Sequence, residues 1–236
     1  MNVLLFDASD EVAPGRVRVA DRRHRHVREI LRAKPGDVIT VGRIGGLLGR
    51  GTLVALDAHG LELELTLDRE PPPPLPVTLA LALPRPPSLR KVLQQATAMG
   101  VKRLWLFASA RVEKSYWQST GLEPSALRDQ LLLGLEQAGD TVLPELAFAR
   151  RFRPFVEDEL PRLARSGRIL VAHPGAEASL EAPTKLETVL VIGPEGGLQE
   201  HELAKLDAVG ALRVGLGPRV LRVETAVVAL LARLAG

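Results

Sequence analysis

The chain has 236 residues, 46% hydrophobic and 25% charged, which is enough apolar material for one large domain or two smaller ones. Arg, Glu or Pro interrupt its leucine-rich stretches before they reach the roughly 20 apolar residues that span a bilayer, and the N-terminus has no basic leader. We therefore expect a cytoplasmic protein with no membrane partner. The absence of Cys excludes disulfides and thiolate chemistry. It leaves only five His and the carboxylates as possible metal ligands, and we expect no metal site. The net charge of +3 permits an anionic partner without requiring one.

Residues 1–70 are predicted to form a small β-barrel or sandwich. Stretches such as Asp37–Gly42 and Leu61–Leu67 are separated by glycines, and the second of them has an apolar residue at every other position. This alternation is typical of a strand with one buried face.

An arginine-rich helix is predicted at Arg22–Lys34, with Val27, Ile30 and Leu31 buried on one side and arginines on the other. From Arg16 to Lys34 there are eight basic and two acidic residues, whereas residues 1–70 as a whole contain 11 of each. A concentrated cationic face is typical of RNA phosphate binding, and a solvated helix face is the alternative. The candidate RNA contacts in this segment are Arg16, Arg22, Arg23, His24, Arg25, Arg28 and Arg32.

A proline-rich linker is predicted at 71–76, because Pro71–Pro74 and Pro76 favour an extended chain. In 77–236 strands alternate with helices, which predicts an α/β domain with a parallel sheet. The predicted strands are Leu75–Leu83, Leu104–Ala108, Ile169–Ala172, Val189–Ile192 and Leu212–Val214, and the predicted helices are Ser88–Met99, Pro124–Ala138, Gln199–Val209 and Arg222–Leu234. Ligands of such sheets bind at the carboxyl ends of strands, so the loops after Ala172, Ile192 and Val214 are expected to form the site.

Two glycine-containing loops follow two of these strands. The first, Gly193–Gly197, has the sequence Gly-Pro-Glu-Gly-Gly, and the second, Gly215–Ala226, leads into the closing helix. Glycine lets the backbone approach a ligand closely, so we expect a small ligand held by main-chain groups; for the first loop alone, a plain strand-to-helix turn is the alternative. Neither loop contains a dinucleotide or triphosphate fingerprint, which removes the usual support for NAD or ATP.

The two loops, Ile192–Gly197 and Leu216–Ala226 in this order, resemble those of the SPOUT class of methyltransferases. Within that class they are most similar to the RsmE family, which methylates N3 of a uridine in 16S ribosomal RNA of the small subunit. Asp21–Asp37 resembles a His-containing segment of that family's PUA-like RNA-binding domain, and Lys91–Gly100 and Leu135–Gln137 resemble two further segments.

The resemblance implies an α/β fold, in which a small PUA-like β-barrel precedes a SPOUT domain with a trefoil knot. It also implies S-adenosylmethionine as methyl donor, S-adenosylhomocysteine as product, a homodimer, and the ribosomal RNA or the small subunit as partner. The chain departs from the family at Ala138–Pro144, where many members carry a basic residue, and matches it only loosely at Ala110–Trp117.

The implied chemistry requires alignment of the donor with N3 and loss of the N3 proton. Glu195 is the candidate base, and Arg222 is the candidate for stabilising the uracil anion. Glu224 is an alternative base, Glu195 is alternatively a stabilising charge at a helix start, and Arg219 is a candidate RNA contact. The expected contacts of the adenosyl donor are His173, Ile192, Gly193, Pro194, Gly196, Gly197, Leu216, Gly217, Val220, Leu221 and Arg222.

Three alternative functions stay open at this point. A SPOUT methyltransferase that modifies transfer RNA or a ribose 2′-hydroxyl keeps the chemistry and changes the target. A catalytically silent RNA-binding module would bind RNA in a salt-dependent manner without binding the donor. An α/β enzyme unrelated to RNA would bind the donor without binding RNA.

Overall fold

The computed structural model describes residues 2–165, 167–176 and 186–235. The chain divides into two compact units, one made of Met1–Pro73 with Leu132–Leu143 and the other of Pro74–Leu131 with Pro144–Gly236. The first division lies inside the predicted linker 71–76, whereas the assignment of Leu132–Leu143 to the first unit differs from the predicted boundary. No helix within the described ranges is long and apolar enough to cross a membrane.

The first unit contains a six-stranded sheet in the order β1-β4-β5-β6-β3-β2, which curls into a half-barrel. Its strands are β1 (Leu4–Phe6), β2 (Glu11–Ala13), β3 (Arg16–Val19), β4 (Val38–Arg43), β5 (Leu48–Leu56) and β6 (Leu61–Arg69). β1 pairs with β4 in parallel, and the other pairs are antiparallel. Alternate side chains, among them Phe6, Val17 and Leu63, form the core. The strands predicted around Asp37–Gly42 and Leu61–Leu67 are confirmed as β4 and β6.

The predicted arginine-rich helix is shorter and wider than expected. An α-helical turn, α1 (Arg22–Arg25), continues as a π-helical segment, His26–Leu31. Val27 is fully buried, but Ile30 and Leu31 are 69% and 48% exposed, so the predicted burial of these two residues is wrong. In a regular α-helix, residues three apart such as Val27 and Ile30 lie on the same face. A π-helix closes its wider turns with i→i+5 hydrogen bonds, so Ile30 no longer shares the face of Val27.

The second half of α3 (Pro124–Ala138) belongs to the first unit. Leu135 packs with Val3, Leu5 and Leu48 in a small apolar cluster. The backbone N–H groups at positions 2 and 3 donate to the carbonyl oxygen of Glu136 at 2.8 and 3.2 Å, so β1 is anchored to the end of this helix.

The second unit contains an all-parallel sheet in the order β12-β10-β11-β7-β8-β9. Its strands are β7 (Val77–Ala82), β8 (Arg103–Phe107), β9 (Glu145–Ala149), β10 (Arg168–Ala172), β11 (Thr188–Ile192) and β12 (Leu212–Val214). The predicted parallel sheet is therefore confirmed. β9 was not predicted, because an edge strand with partly exposed residues lacks the apolar run of the central strands.

The helices of this unit that bear on the site are α2 (Pro86–Ala98), α6 (Glu200–Ala208) and α7 (Val223–Ala235). Further along the chain from β9, α4 (Phe152–Pro154), a π-helical segment Phe155–Glu159 and α5 (Leu160–Leu163) cover one face of the sheet through Phe155 and Leu160. The knot that the resemblance implies is a property of the complete chain path, and residues 177–185, between β10 and β11, lie outside the described residues.

Candidate active site

The three loops expected to form the site border one cleft. Ala172 pairs in register with Ile192 on one side and with Val214 on the other, so β10, β11 and β12 end at the same level. The cleft beyond these ends has a volume of about 260 Å³. It is lined by ten of the eleven residues predicted for the donor, together with Glu195 and Arg219; the ten are His173, Ile192, Gly193, Pro194, Gly196, Gly197, Leu216, Gly217, Val220 and Leu221. The eleventh, Arg222, is exposed beside the cleft and is absent from its lining.

The first glycine loop closes on itself in a tight turn. The Gly197 N–H donates to the Pro194 carbonyl oxygen at 2.8 Å, and Gly197 has a φ of +73°, a left-handed conformation that favours glycine. A Cβ added at Gly193 would lie 3.0 Å from Cγ of the buried Leu198. The absence of side chains thus lets the main chain of this loop form the wall of the cleft.

The second glycine loop supplies a bend and apolar side chains. Gly217 has a φ of +95°, and a Cβ added there would meet open space. Leu216, Val220 and Leu221 line the cleft, and Val220 is 81% exposed. Main-chain groups beside apolar side chains are the usual composition of a small-molecule site, and they fit the adenosyl part of the predicted donor.

Glu195 lies at the border of the cleft beside Arg85, the residue that precedes α2. The Arg85 N–H donates to Oε1 of Glu195 at 3.3 Å, and Nε of Arg85 is 3.7 Å from the same oxygen. The Glu195 side chain is 37% exposed, so the carboxylate keeps access to solvent while one guanidinium faces it. Sequence reasoning missed Arg85; its position directly after the predicted strand Leu75–Leu83 is the signal that points to it.

A second missed residue is Arg111, in the loop after β8. Its guanidinium donates a short hydrogen bond to the carbonyl oxygen of Gly196, and its aliphatic part lies 3.1 Å from a Cβ built on Gly196. The neighbouring Ala110 N–H donates to the buried carboxylate of Glu202 at 2.8 Å. These contacts connect the loop after β8 to the first glycine loop through Arg111 and to the first turn of α6 through Ala110.

Glu224 is placed away from the cleft lining. Its carboxylate accepts hydrogen bonds from Oγ of Ser88 at 3.1 Å and from Nζ of Lys91 at 3.3 Å, and only 9% of its side chain is exposed. Hydrogen bonding from its own backbone N–H, together with Lys91 and Ser88, lowers the pKa of Glu224 although burial opposes this. A buried carboxylate that joins α7 to α2 favours a structural role over that of a base.

Two of the predicted RNA contacts are engaged inside the first unit. Arg22 donates two hydrogen bonds, of 2.8 and 2.7 Å, to the buried Glu136 carboxylate. Hydrogen bonding to Glu136 raises the pKa of Arg22. Arg23 is paired with both oxygens of Asp10 at 2.8 Å. Burial lowers the pKa of Arg23, but its bonds to Asp10 and Asp21 outweigh burial and raise it.

His24 is the third predicted contact that is engaged. It is buried, and its Nε2 lies 3.0 Å from the carbonyl oxygen of Asp57. The histidine therefore fastens the turn before β6 and offers no surface to a ligand. The remaining candidates of the first unit, Arg16, Arg25, Arg28 and Arg32, are exposed.

Comparisons with known proteins identify the family. A family model described as an RNA methyltransferase domain matches residues 71–235. The ribosomal RNA small subunit methyltransferase E of Treponema pallidum is 28% identical over 233 residues, covering 96% of this chain and 87% of that protein. The enzyme of the same name from Mycobacterium tuberculosis is 34% identical over 120 residues, which cover 50% of this chain and 43% of that protein.

Solved structures agree over the whole chain. The ribosomal RNA small subunit methyltransferase E of Neisseria gonorrhoeae, bound to S-adenosyl methionine, superposes with a TM-score of 0.74 at 24% identity and covers 98% of this chain and 95% of that one. A methyltransferase from Legionella pneumophila, in complex with the same cofactor, gives 0.74 at 23% with the same coverage. These likenesses confirm the predicted fold class, a PUA-like domain followed by a SPOUT domain. Because the family model matches most of this chain, the chain belongs to the RNA methyltransferase family.

Proposed function

We propose that this protein transfers a methyl group from S-adenosylmethionine to N3 of a uridine in 16S ribosomal RNA of the small subunit. The observation that carries the proposal is the convergence of ten predicted donor contacts around one cleft of about 260 Å³. The name shared by the relatives from Treponema pallidum and Mycobacterium tuberculosis supports small-subunit ribosomal RNA as the substrate class. The cytoplasm, where ribosomal subunits are modified, is the proposed location.

The residues present fit the proposed donor. Two glycine loops bring main-chain groups to the cleft, and Leu216 and Leu221 offer apolar contact to an adenine ring. When bound, S-adenosylmethionine supplies a methyl group already activated by its sulfonium. The residues of the cleft therefore need only to bind and orient the reactants and to manage the N3 proton.

Glu195 is the proposed acceptor of the N3 proton. Its carboxylate lies on the first glycine loop, borders the donor cleft and is accessible to solvent. Arg85, at the start of α2, orients this carboxylate through its backbone N–H. Its guanidinium lies 3.7 Å away and forms no bidentate pair with the carboxylate. Arg222, exposed beside the cleft, is the proposed cation that stabilises negative charge on the uracil carbonyl oxygens.

The exposed arginines of the first unit are proposed to hold RNA phosphates. Arg25 and Arg32 take part in no ion pair with any residue that the structure describes, and Arg28 has only an exposed pair with Glu29 at 3.0 Å. Exposed guanidinium groups of this kind bind phosphates and release counterions. Arg219, exposed at the rim of the cleft, is a proposed phosphate contact of the second unit.

A homodimer is part of the proposal. Val220 and Leu221 are apolar residues at the rim of the cleft, and they are 81% and 38% exposed in the single chain. A partner subunit that covers them would remove apolar surface from water and complete the wall of the donor site.

The decisive experiment measures methyl transfer from labelled S-adenosylmethionine to small ribosomal subunits that lack their own methylation, followed by digestion and identification of the nucleoside. We expect 3-methyluridine. A different methylated nucleoside would move the enzyme to another acceptor atom. Donor binding without transfer to the subunits or their RNA would exclude this substrate, and RNA binding without donor binding would favour the silent RNA-binding module.

A further inference from the structure

A groove with exposed aliphatic side chains opens on the surface of the first unit, and its lining residue Leu31 directly precedes the exposed Arg32. It has a volume of about 420 Å³ and lies between the end of the π-helical segment and β4. Leu31, Ala33, Val38 and Ile39 are among its apolar lining residues, and Asn2, Asp37 and Thr40 line it with polar groups. The groove therefore combines aliphatic side chains with polar groups able to hydrogen-bond a ligand.

The apolar residues of this groove are unusually exposed. Leu31 is 48% and Val38 is 58% exposed, and the adjacent Ile30 is 69% exposed. The π-helical segment is the reason, because a regular helix would turn Ile30 toward the side of the buried Val27. Both a wide helical turn and an apolar surface in water are unfavourable for the free protein, and such features concentrate at functional sites.

The backbone beside the groove carries a second unfavourable feature. Arg32, which follows Leu31, has a φ of +52° and is the only residue other than glycine with a positive φ in the part of the chain that the structure describes. A helix end in this conformation favours glycine or asparagine. The chain instead keeps a long cation at the edge of the groove.

Charge complementarity identifies the occupant. The segment that forms one wall of the groove bears exposed Arg25, Arg28 and Arg32, and Lys34 follows directly. Apolar surface flanked by cations matches an unpaired nucleotide, whose base needs an apolar face and whose phosphates need guanidinium groups. A second protein chain would have to be acidic around an apolar ridge to match the same surface.

We infer that this groove binds an unstacked base of the RNA substrate, while Arg28 and Arg32 bind the phosphates on either side of it. The inference rests on the proposed function, since it assumes that the first unit binds RNA. It adds that the unit recognises a single-stranded nucleotide through aliphatic contact as well as through charge.

The test uses the full-length protein and a fluorescently labelled single-stranded oligoribonucleotide. Substituting Leu31→Ser and Val38→Ser together should weaken binding about tenfold and leave the salt dependence unchanged, because apolar contact releases no counterions. Val12→Ser is the matched control, since Val12 is 56% exposed on β2, at the other edge of the sheet from β1 and β4. An oligonucleotide with abasic positions should bind the wild type and the double variant equally.

Each other outcome overturns the inference. Equal affinity of the wild type and the double variant for the intact oligonucleotide would show that the groove holds no base. If the double variant instead changes the sedimentation of the protein without changing RNA affinity, the groove is an interface between copies of this chain. Absence of RNA binding by the wild type would refute the RNA part of the proposed function itself, which distinguishes that failure from failure of the groove.

Discussion

The backbone N–H of Arg85 donates to Oε1 of Glu195 at 3.3 Å, and the guanidinium Nε of the same arginine lies 3.7 Å from that oxygen. The two residues follow neighbouring strands, β7 and β11, whose residues Leu81 and Ile192 are in register. One residue therefore faces the Glu195 carboxylate with two atoms at the border of the proposed donor cleft. The arrangement orients the carboxylate for a reactant in the cleft. Glu195 is then the proposed base, and Arg85 is the residue that positions it.

Glu195→Gln removes the proposed proton acceptor and keeps the shape of the side chain. We expect kcat to fall by about 10²–10⁴, the usual contribution of a general base, with the Kd for S-adenosylmethionine nearly unchanged. Single-turnover methyl transfer and calorimetric donor binding measure the two quantities. Arg85→Ala should lower kcat less, because it removes a group that orients the base and leaves the base itself in place. Near-normal turnover of the Gln variant would transfer the role to another group.

Gly217 and Gly210 form a matched pair for testing the cleft. Both have left-handed φ values, +95° and +81°, and an added Cβ would meet open space at both. Each change to Ala should therefore lower the free energy of unfolding by about 1 kcal/mol. Only Gly217→Ala introduces a methyl group at the cleft, so it alone should weaken donor binding, by about tenfold. Equal donor affinities in the two variants would contradict the placement of the donor beside Gly217.

Most elements around the cleft, and the residues that line it, were predictable because both follow from local patterns. Buried strands such as Thr188–Ile192 are apolar at all but one position, and parallel sheets bind ligands at the carboxyl ends of their strands. Arg85 and Arg111 were missed because their importance depends on which strands are neighbours: β7 lies beside β11 and β8 beside β7, and local sequence does not encode that order.

The arginine-rich segment shows the other limit of sequence reasoning. Equally spaced arginines appear equivalent in sequence, yet Arg22 is bound to Glu136 from a helix far along the chain, whereas Arg25 is exposed. The wider turn that exposes Ile30 likewise has no sequence signature. Tertiary contacts, and not the pattern, decide which members of the segment remain available to a ligand.

We expect the Glu224 carboxylate to make a pH-dependent contribution to stability. Its pKa is lowered in the folded protein from the ordinary value of 4.5, so the contribution is complete above about pH 4.5 and is lost as the pH falls through the folded-state pKa. Glu224→Gln should lower the free energy of unfolding by about 1–3 kcal/mol at neutral pH. The difference in Tm between the variant and the wild type should shrink in acid. A difference that is constant from neutral to acidic pH would exclude an ionic role.

Arg32→Gly separates stability from RNA binding at one position. Glycine relieves the left-handed conformation at φ +52°, so the free energy of unfolding should stay constant or rise by up to about 1 kcal/mol. RNA affinity should nevertheless fall, and the slope of log K against log salt should become shallower by about 0.7, the value for one phosphate of a single strand. Thermal unfolding and anisotropy titrations check the two effects. A less stable variant with normal RNA affinity would mean that Arg32 serves the fold.

Replacement of Arg25, Arg28 and Arg32 by Gln tests the whole exposed group. Because each guanidinium that neutralises a phosphate releases counterions, we expect RNA affinity to fall and the salt slope to become shallower by about 2. Arg43, Arg50 and Arg69, which are exposed on β4, β5 and β6, provide a control with the same change of net charge. If the control triple variant loses as much slope, binding follows net charge alone. If only the first triple variant does, while its donor affinity stays normal, the phosphates are bound by the end of α1 and the segment that follows it.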